Sequence, residues 1–187
     1  MVAILVLAVS CNNTIGKIFT SGTGAGIGSD HLPQEPYIAT LYVEGSIASG
    51  NVAYFGASLG YQHQWPLDQI DEMIADQNNK ALILFVDSPG GGVYESDELY
   101  LKIKGYQEET GRPVYAYFGS MAASGGYYIS APADKIIANR NCWTGSIGVT
   151  IGTLFDFSQL LEEYGIRTET ITSGANKAMG SNFDQLT

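Results

Sequence analysis

The chain has 187 residues, 45% of them hydrophobic and 15% charged, with a formal net charge of -10. This composition is enough to bury one core and excludes a disordered chain. Nine scattered Lys and Arg exclude binding to a nucleic-acid backbone, which needs clustered cations to displace counterions. Two cysteines, Cys11 and Cys142, are too few for a disulfide framework, and without a C-x-x-C pair or a His cluster the sequence implies neither metal nor cofactor.

The run Met1 to Val9 is apolar but much shorter than the roughly 20 residues that cross a bilayer, and it lacks a basic flank. It reads as the end of a membrane anchor or as an export signal with Ala8-Val9-Ser10-Cys11 as a lipoprotein-type cleavage site; a first buried strand is the other reading. Residues 1–11 are therefore expected to be a partial anchor or signal, and the Gly, Ser and Thr of 12–36 a flexible linker. A single folded domain is expected over 37–187, truncated at its C-terminal end.

Tyr37 to Val43 is rich in β-branched and aromatic residues and predicts a strand. Pro66 suits a helix start, and Leu67, Ile70, Met73 and Ile74 fall on one face of the resulting helix. Ala81 to Val86 is a continuous apolar run, as in a parallel strand covered on both faces. Asp87-Ser-Pro-Gly-Gly-Gly92 then leads into a helix over 94–104, with Glu95, Asp97 and Glu98 early and Lys102 and Lys104 late, as the helix dipole favours. Pro113 to Phe118 predicts a strand, Ala122 to Ala131 a helix of small residues, and Ile136 to Ala138 a short strand. A helix from Asp156, stopped by Gly165, and a strand over 167–172 complete the pattern. Strand and helix alternate, so the class is α/β with helices flanking a largely parallel sheet.

Two strand-to-helix junctions carry candidate chemistry. Pro89-Gly90-Gly91-Gly92 presents backbone N–H groups at a helix start with no side chain in the way, as an oxyanion hole requires, although a plain βα turn has the same composition. No Lys-Ser or Lys-Thr comes next, so it is not a Walker phosphate loop, and Tyr94 and Glu95 spoil a dinucleotide fingerprint. The second junction, Phe118-Gly-Ser-Met-Ala-Ala-Ser-Gly-Gly126, holds Ser124, whose own amide and that of Gly125 are candidate donors. Tight helix packing is the alternative use of so small a residue.

A serine needs a base. The two histidines, His31 in the linker and His63 in the loop before the first helix, both precede Ser124. The alternative is a lysine. An unperturbed lysine is only about 0.04% neutral at pH 7, so a lysine base has to lose about 2 to 3 pKa units through desolvation, away from carboxylates. Lys177, with no acidic residue from Ile171 to Phe183, fits; a solvated surface lysine is the competing reading.

Asp87-Ser-Pro-Gly-Gly-Gly-Val-Tyr-Glu-Ser96, Gly119-Ser-Met-Ala-Ala-Ser-Gly-Gly-Tyr-Tyr128 through Lys135, Thr144-Gly-Ser-Ile-Gly-Val149 and Ser173-Gly-Ala-Asn-Lys-Ala-Met-Gly-Ser181 resemble, in order and spacing, the bacterial signal peptide peptidase A family. The resemblance covers residues 37–187; Asn182 departs from it, standing where the family usually has proline. It implies a Clp/crotonase-like fold of repeated β-β-α units and a serine endopeptidase that hydrolyses apolar peptides, such as remnant signal peptides, by a Ser-Lys dyad. It further implies Ser124 as nucleophile, Lys177 as general base, Ser146 hydrogen-bonding the lysine amine, and Gly91, Gly92 and Gly125 around the oxyanion. A homo-oligomer with active sites shared between neighbours is implied as well, held at the bacterial cell membrane through the N-terminal segment with the catalytic domain on the extracytoplasmic side. The reading from the residues alone keeps a second possibility, a non-catalytic Clp/crotonase-type module that binds a peptide or acyl carbonyl without cleaving it.

Overall fold

The computed structural model describes residues 3–9, 35–49, 52–54, 57–59, 63–174 and 176–184, with 3–9, 52–54 and 57–59 described by backbone alone. The linker expected over 12–36 lies outside these residues except for Glu35 and Pro36. Where one domain was expected over 37–187, the chain divides into two compact units, Met1–Val149 and Thr150–Thr187.

The first unit is built on a parallel sheet. Its strands are β1 (Ala3–Val9), β2 (Tyr37–Glu44), β5 (Asn79–Ser88), β6 (Val114–Ala123) and β7 (Lys135–Ala138), in the order β1-β2-β5-β6-β7, and β8 (Trp143–Gly145) also pairs with the end of β6. A short antiparallel pair, β3 (Val52–Tyr54) and β4 (Ala57–Leu59), stands apart. The apolar run expected to be an anchor or signal forms β1, in register with β2 from Ala3 opposite Tyr37 to Val9 opposite Val43. Among the described residues no helix is long and apolar enough to cross a membrane.

Helices α1 (Gln64–Ala75), α2 (Val93–Thr110) and the single turn α3 (Gly125–Tyr128) flank the sheet. Pro66 is the third residue of α1, where its missing N–H would have had no intrahelical partner. Ile70 and Met73 of α1 and Leu99, Ile103 and Tyr106 of α2 pack with Leu41, Leu82, Leu84, Val86 and Phe118 into one buried cluster. Each such side chain contributes about 1.5–3 kcal/mol of burial free energy.

The run 81–86 is not equally covered on its two faces. Leu82, Leu84 and Val86 are fully buried, whereas Ile83 and Phe85 are partly exposed. A ladder of rings shelters that second face, Tyr42 to Phe85 at 4.7 Å and Phe85 to Tyr117 at 5.6 Å between centroids.

Four predicted elements differ. Helix α2 runs on past Gly105 to Thr110, because Tyr106 is drawn into the core, and it ends at Gly111 with φ 65°. The helix expected over 122–131 shrinks to α3, because β8 pairs with Met121, Ala122 and Ala123 and holds them as strand. In the second unit α4 is Ser158–Glu163, and residues 167–172 are irregular rather than a strand.

Candidate active site

Strand β5 delivers the first turn. Ser88 is fully buried; its hydroxyl donates to the Gly45 carbonyl (2.6 Å) and accepts the Gly90 N–H (3.0 Å). The turn is then stitched to Ile47, whose N–H donates to Gly90 O (2.9 Å) and whose carbonyl accepts the Gly92 N–H (2.7 Å). Gly92 was expected among the oxyanion donors; its amide is engaged by Ile47, which removes it from that set. The same contact explains the glycine at 91, where a Cβ would lie 2.5 Å from the Ile47 carbonyl carbon and 2.8 Å from its nitrogen. Glu95, in the first turn of α2, accepts the Ser49 N–H at 2.8 Å. That bond is the main cause holding its carboxyl below the usual range.

Strand β6 delivers the second turn. Ser124 follows Ala123 with φ 50° and ψ -121°, a conformation costly for a residue with a side chain, at about 1–3 kcal/mol. Its N–H donates to Gly145 O (2.9 Å), so the Ser124 amide, one of the expected donors, is also taken. The strained turn leaves the side chain half-buried at the strand end, the geometry of a nucleophile elbow.

The two turns touch through their backbones. A Cβ on Gly90 would fall 2.5 Å from Gly125 N and 2.8 Å from Ser124 Cβ, and one on Gly125 would fall 3.3 Å from Gly91 N and against Ser96 Oγ. Gly126 likewise abuts the Ser88 carbonyl, at 2.8 Å from its own Cβ position. Among the described residues neither the Gly91 nor the Gly125 N–H has an acceptor. Two neighbouring, unengaged amides beside a serine are suited to receive a developing oxyanion.

Ser146 follows β8, whose Gly145 is opposite Ala123 and whose Thr144 hydroxyl donates to Ala122 O (2.7 Å). Ser124 and Ser146 are thus at adjoining strand ends. They are also the two non-glycine residues with positive φ among those described, at 50° and 52°. Lys177 belongs to the second unit, in the irregular run after Gly174; its side chain is exposed and its N–H donates to Gly174 O at 3.3 Å.

His31 lies outside the described residues. His63 does have an acid partner, Glu98 Oε2 at 2.8 Å, contributed by α2 and invisible in the local sequence. That pair shares a flank of α2 with the Lys102–Asp71 ion pair to α1. Ser96, Asp97 and Tyr100 meet Gly125 and Tyr128 on another flank. The body of α2 therefore separates His63 from the Ser124 turn.

Residues 106–187 match peptidase family S49. The S49 match takes in Ser124, Gly125, Ser146 and Lys177, while Gly91 and Gly92 precede it. Over 147 residues the chain is 44% identical to the "Putative signal peptide peptidase SppA" of Enterococcus faecium, covering 77% of this chain and 41% of that one. It is 40% identical over 146 residues to "Protease 4" of Haemophilus influenzae, covering 77% of this chain and 22% of that one. It is 38% identical over 108 residues to "Serine protease SPPA, chloroplastic" of Arabidopsis thaliana, covering 58% and 16%. The chain thus spans less than half the length of each of these relatives.

Some of what builds the candidate site is not legible in the local sequence. Ser88 and Asp87 sit inside a stretch noted for its glycines, yet Ser88 accepts the Gly90 N–H in the first turn and Asp87 accepts bonds from Ser120 and Met121 of β6. The signal available was alternation: successive residues at a strand end point to opposite faces, so two hydrogen-bonding side chains there serve different neighbours.

Proposed function

We propose that the chain is the catalytic segment of a serine endopeptidase of family S49, with Ser124 as nucleophile and Lys177 as general base. The observation that carries this reading is the strained Ser124 turn packed against the unengaged Gly91 and Gly125 amides. The neutral Lys177 amine takes the Ser124 hydroxyl proton as Oγ attacks the scissile carbonyl, and the two amides receive the oxyanion. Collapse breaks the C–N bond, and the leaving amine takes the proton from Lys177. Water then attacks the acyl-serine ester, giving its proton to Lys177, and the acid product leaves as Ser124 regains a proton. Ser146 supports the lysine amine by a hydrogen bond.

The substrates proposed are apolar peptides such as remnant signal peptides, cleaved at the bacterial cell membrane on its extracytoplasmic side. The active form proposed is a homo-oligomer in which neighbouring copies share sites. Labelling by a fluorophosphonate tests the nucleophile. Ser124 is expected to react, Ser124→Ala to remain unlabelled, and Lys177→Ala to lose both labelling and peptide cleavage. Co-assembly of the two inactive variants restores cleavage where sites are shared. A wild-type chain that leaves the probe untouched would refute the nucleophile and favour the non-catalytic binding module.

A further inference from the structure

Strand β6 reaches Ser124 only by slipping against β5. Val86 is opposite Phe118 and Ser88 opposite Ala122, so four positions on β6 are matched to two on β5, a surplus of two residues. Such a bulge bends a strand and re-aims the residues beyond it. Here it falls at Gly119 to Met121, immediately before Ala122 and Ala123, which pair with β8 and lead into Ser124.

The Asp87 carboxylate occupies this bulge. The Ser120 hydroxyl donates to its two oxygens at 2.7 and 2.9 Å, the Met121 N–H donates at 3.0 Å, and the Ser120 N–H at 3.4 Å. Gly119 completes the fit, since a Cβ there would lie 3.1 Å from Asp87 Oδ2 and 3.1 Å from Phe85 Cζ. The backbone donors released by the slip are thereby satisfied by one side chain. Charge-assisted bonds to a carboxylate are the stronger kind, roughly twice a neutral pair.

We infer that Asp87 is a positioning residue for the nucleophile: its carboxylate fixes the β6 slip and so sets where Ser124 stands against Gly91 and Gly125. Adjacent residues of β5 divide the task. Ser88, on the helix-covered face, fixes the glycine turn, and Asp87, on the opposite face, fixes the serine turn. This role rests on the serine-nucleophile reading and adds that the hydrogen-bonding shape of Asp87 matters, while its charge takes no part in proton transfer.

The test is the rate of fluorophosphonate labelling at Ser124, per folded molecule, with kcat and KM for a peptide substrate. Asp87→Ala removes every acceptor and is expected to slow labelling at least about tenfold, with kcat falling and KM little changed, as for a misplaced reacting group. Asp87→Asn retains an oxygen for Met121 N–H and an amide that can donate to Ser120 Oγ, so its rate is expected within about threefold of wild type. Ser120→Ala, which spares both backbone donors, is expected to fall between them. Should Asp87→Ala fold poorly, Gly119→Ala, which crowds the carboxylate from the other side, is expected to slow labelling on its own. Labelling of Asp87→Ala at the wild-type rate, or an Asp87→Asn as slow as Asp87→Ala, would overturn the inference while leaving the nucleophile standing. A wild-type Ser124 that does not label would bring down both.

Discussion

Replacing Gly90 by Ala tests whether the contact between the two turns is what builds the site. Gly90 has φ +94°, where a side chain costs about 1–3 kcal/mol. The new Cβ would also lie 2.5 Å from Gly125 N, against 3.4 Å for an ordinary contact. Relief therefore needs a displacement of about 0.9 Å (3.4 - 2.5), and nothing flexible is there to yield, because the atoms met are backbone and Ser124 Cβ. Adding about 1–3 kcal/mol for overpacking, the expected destabilisation is about 2–6 kcal/mol, read from urea unfolding. The displaced group is one of the two proposed oxyanion donors, and a shift of roughly 1 Å is enough for a loss of about 100-fold. Fluorophosphonate labelling per folded molecule should fall by that order. Gly111→Ala is the control: φ is +65° with nothing within 4 Å of its Cβ position, so about 1 kcal/mol of stability should be lost with labelling unchanged. A Gly90→Ala chain that labels as fast as wild type would refute the role of the contact.

Three further outcomes are expected. Ser96→Ala removes a hydroxyl that is buried with no partner among the described residues, so stability should rise by about 1 kcal/mol in urea unfolding; a loss would mean that the hydroxyl is satisfied. His63→Ala breaks the bond to Glu98 and should cost about 1 kcal/mol while leaving Ser124 labelling unaltered, whereas abolished labelling would make His63 the base. Burial pushes the Tyr106 hydroxyl up to about 12 and raises Tyr37 as well. Above pH 10 the unfolded chain loses these protons while the folded chain keeps them. Stability from the pair is therefore complete below pH 10 and is lost as pH climbs toward about 12. A urea midpoint that stays flat across that interval would contradict this.

Much of the fold is legible in local pattern because burial writes itself into period and composition. Tyr37 to Val43, Ala81 to Val86 and Pro113 to Phe118 each read as strands, and each is a strand of the parallel sheet. The misreading over 122–131 concerns a segment whose state is set by a distant partner. Ala122 and Ala123 have good helix propensity, yet pairing with Thr144 and Gly145 keeps them extended. The run Ala3 to Val9 has the length of a strand or of part of a membrane segment, and in the structure it pairs with β2.

The site divides along the same line. Residue types were readable: a serine among small residues, glycines at a strand end, a lysine far from carboxylates. The donor set was not, because an amide's availability depends on what faces it. Gly91 and Gly92 are equivalent in sequence, but Ile47 takes the Gly92 N–H and leaves that of Gly91 unengaged. Nor can sequence say which glycines face each other. Gly90 and Gly125 are 125 - 90 = 35 positions apart, and a Cβ on Gly90 would lie 2.5 Å from Gly125 N, while one on Gly125 would meet Ser96 Oγ and lie 3.3 Å from Gly90 Cα. A substitution at either glycine is therefore an intervention at both turns, and changes at the pair should combine non-additively, as for residues in direct contact. If Gly90→Ala and Gly125→Ala together slow labelling no more than the worse of the two alone, one shared displacement accounts for both losses. If their effects multiply, each turn is held independently and the contact between them is incidental.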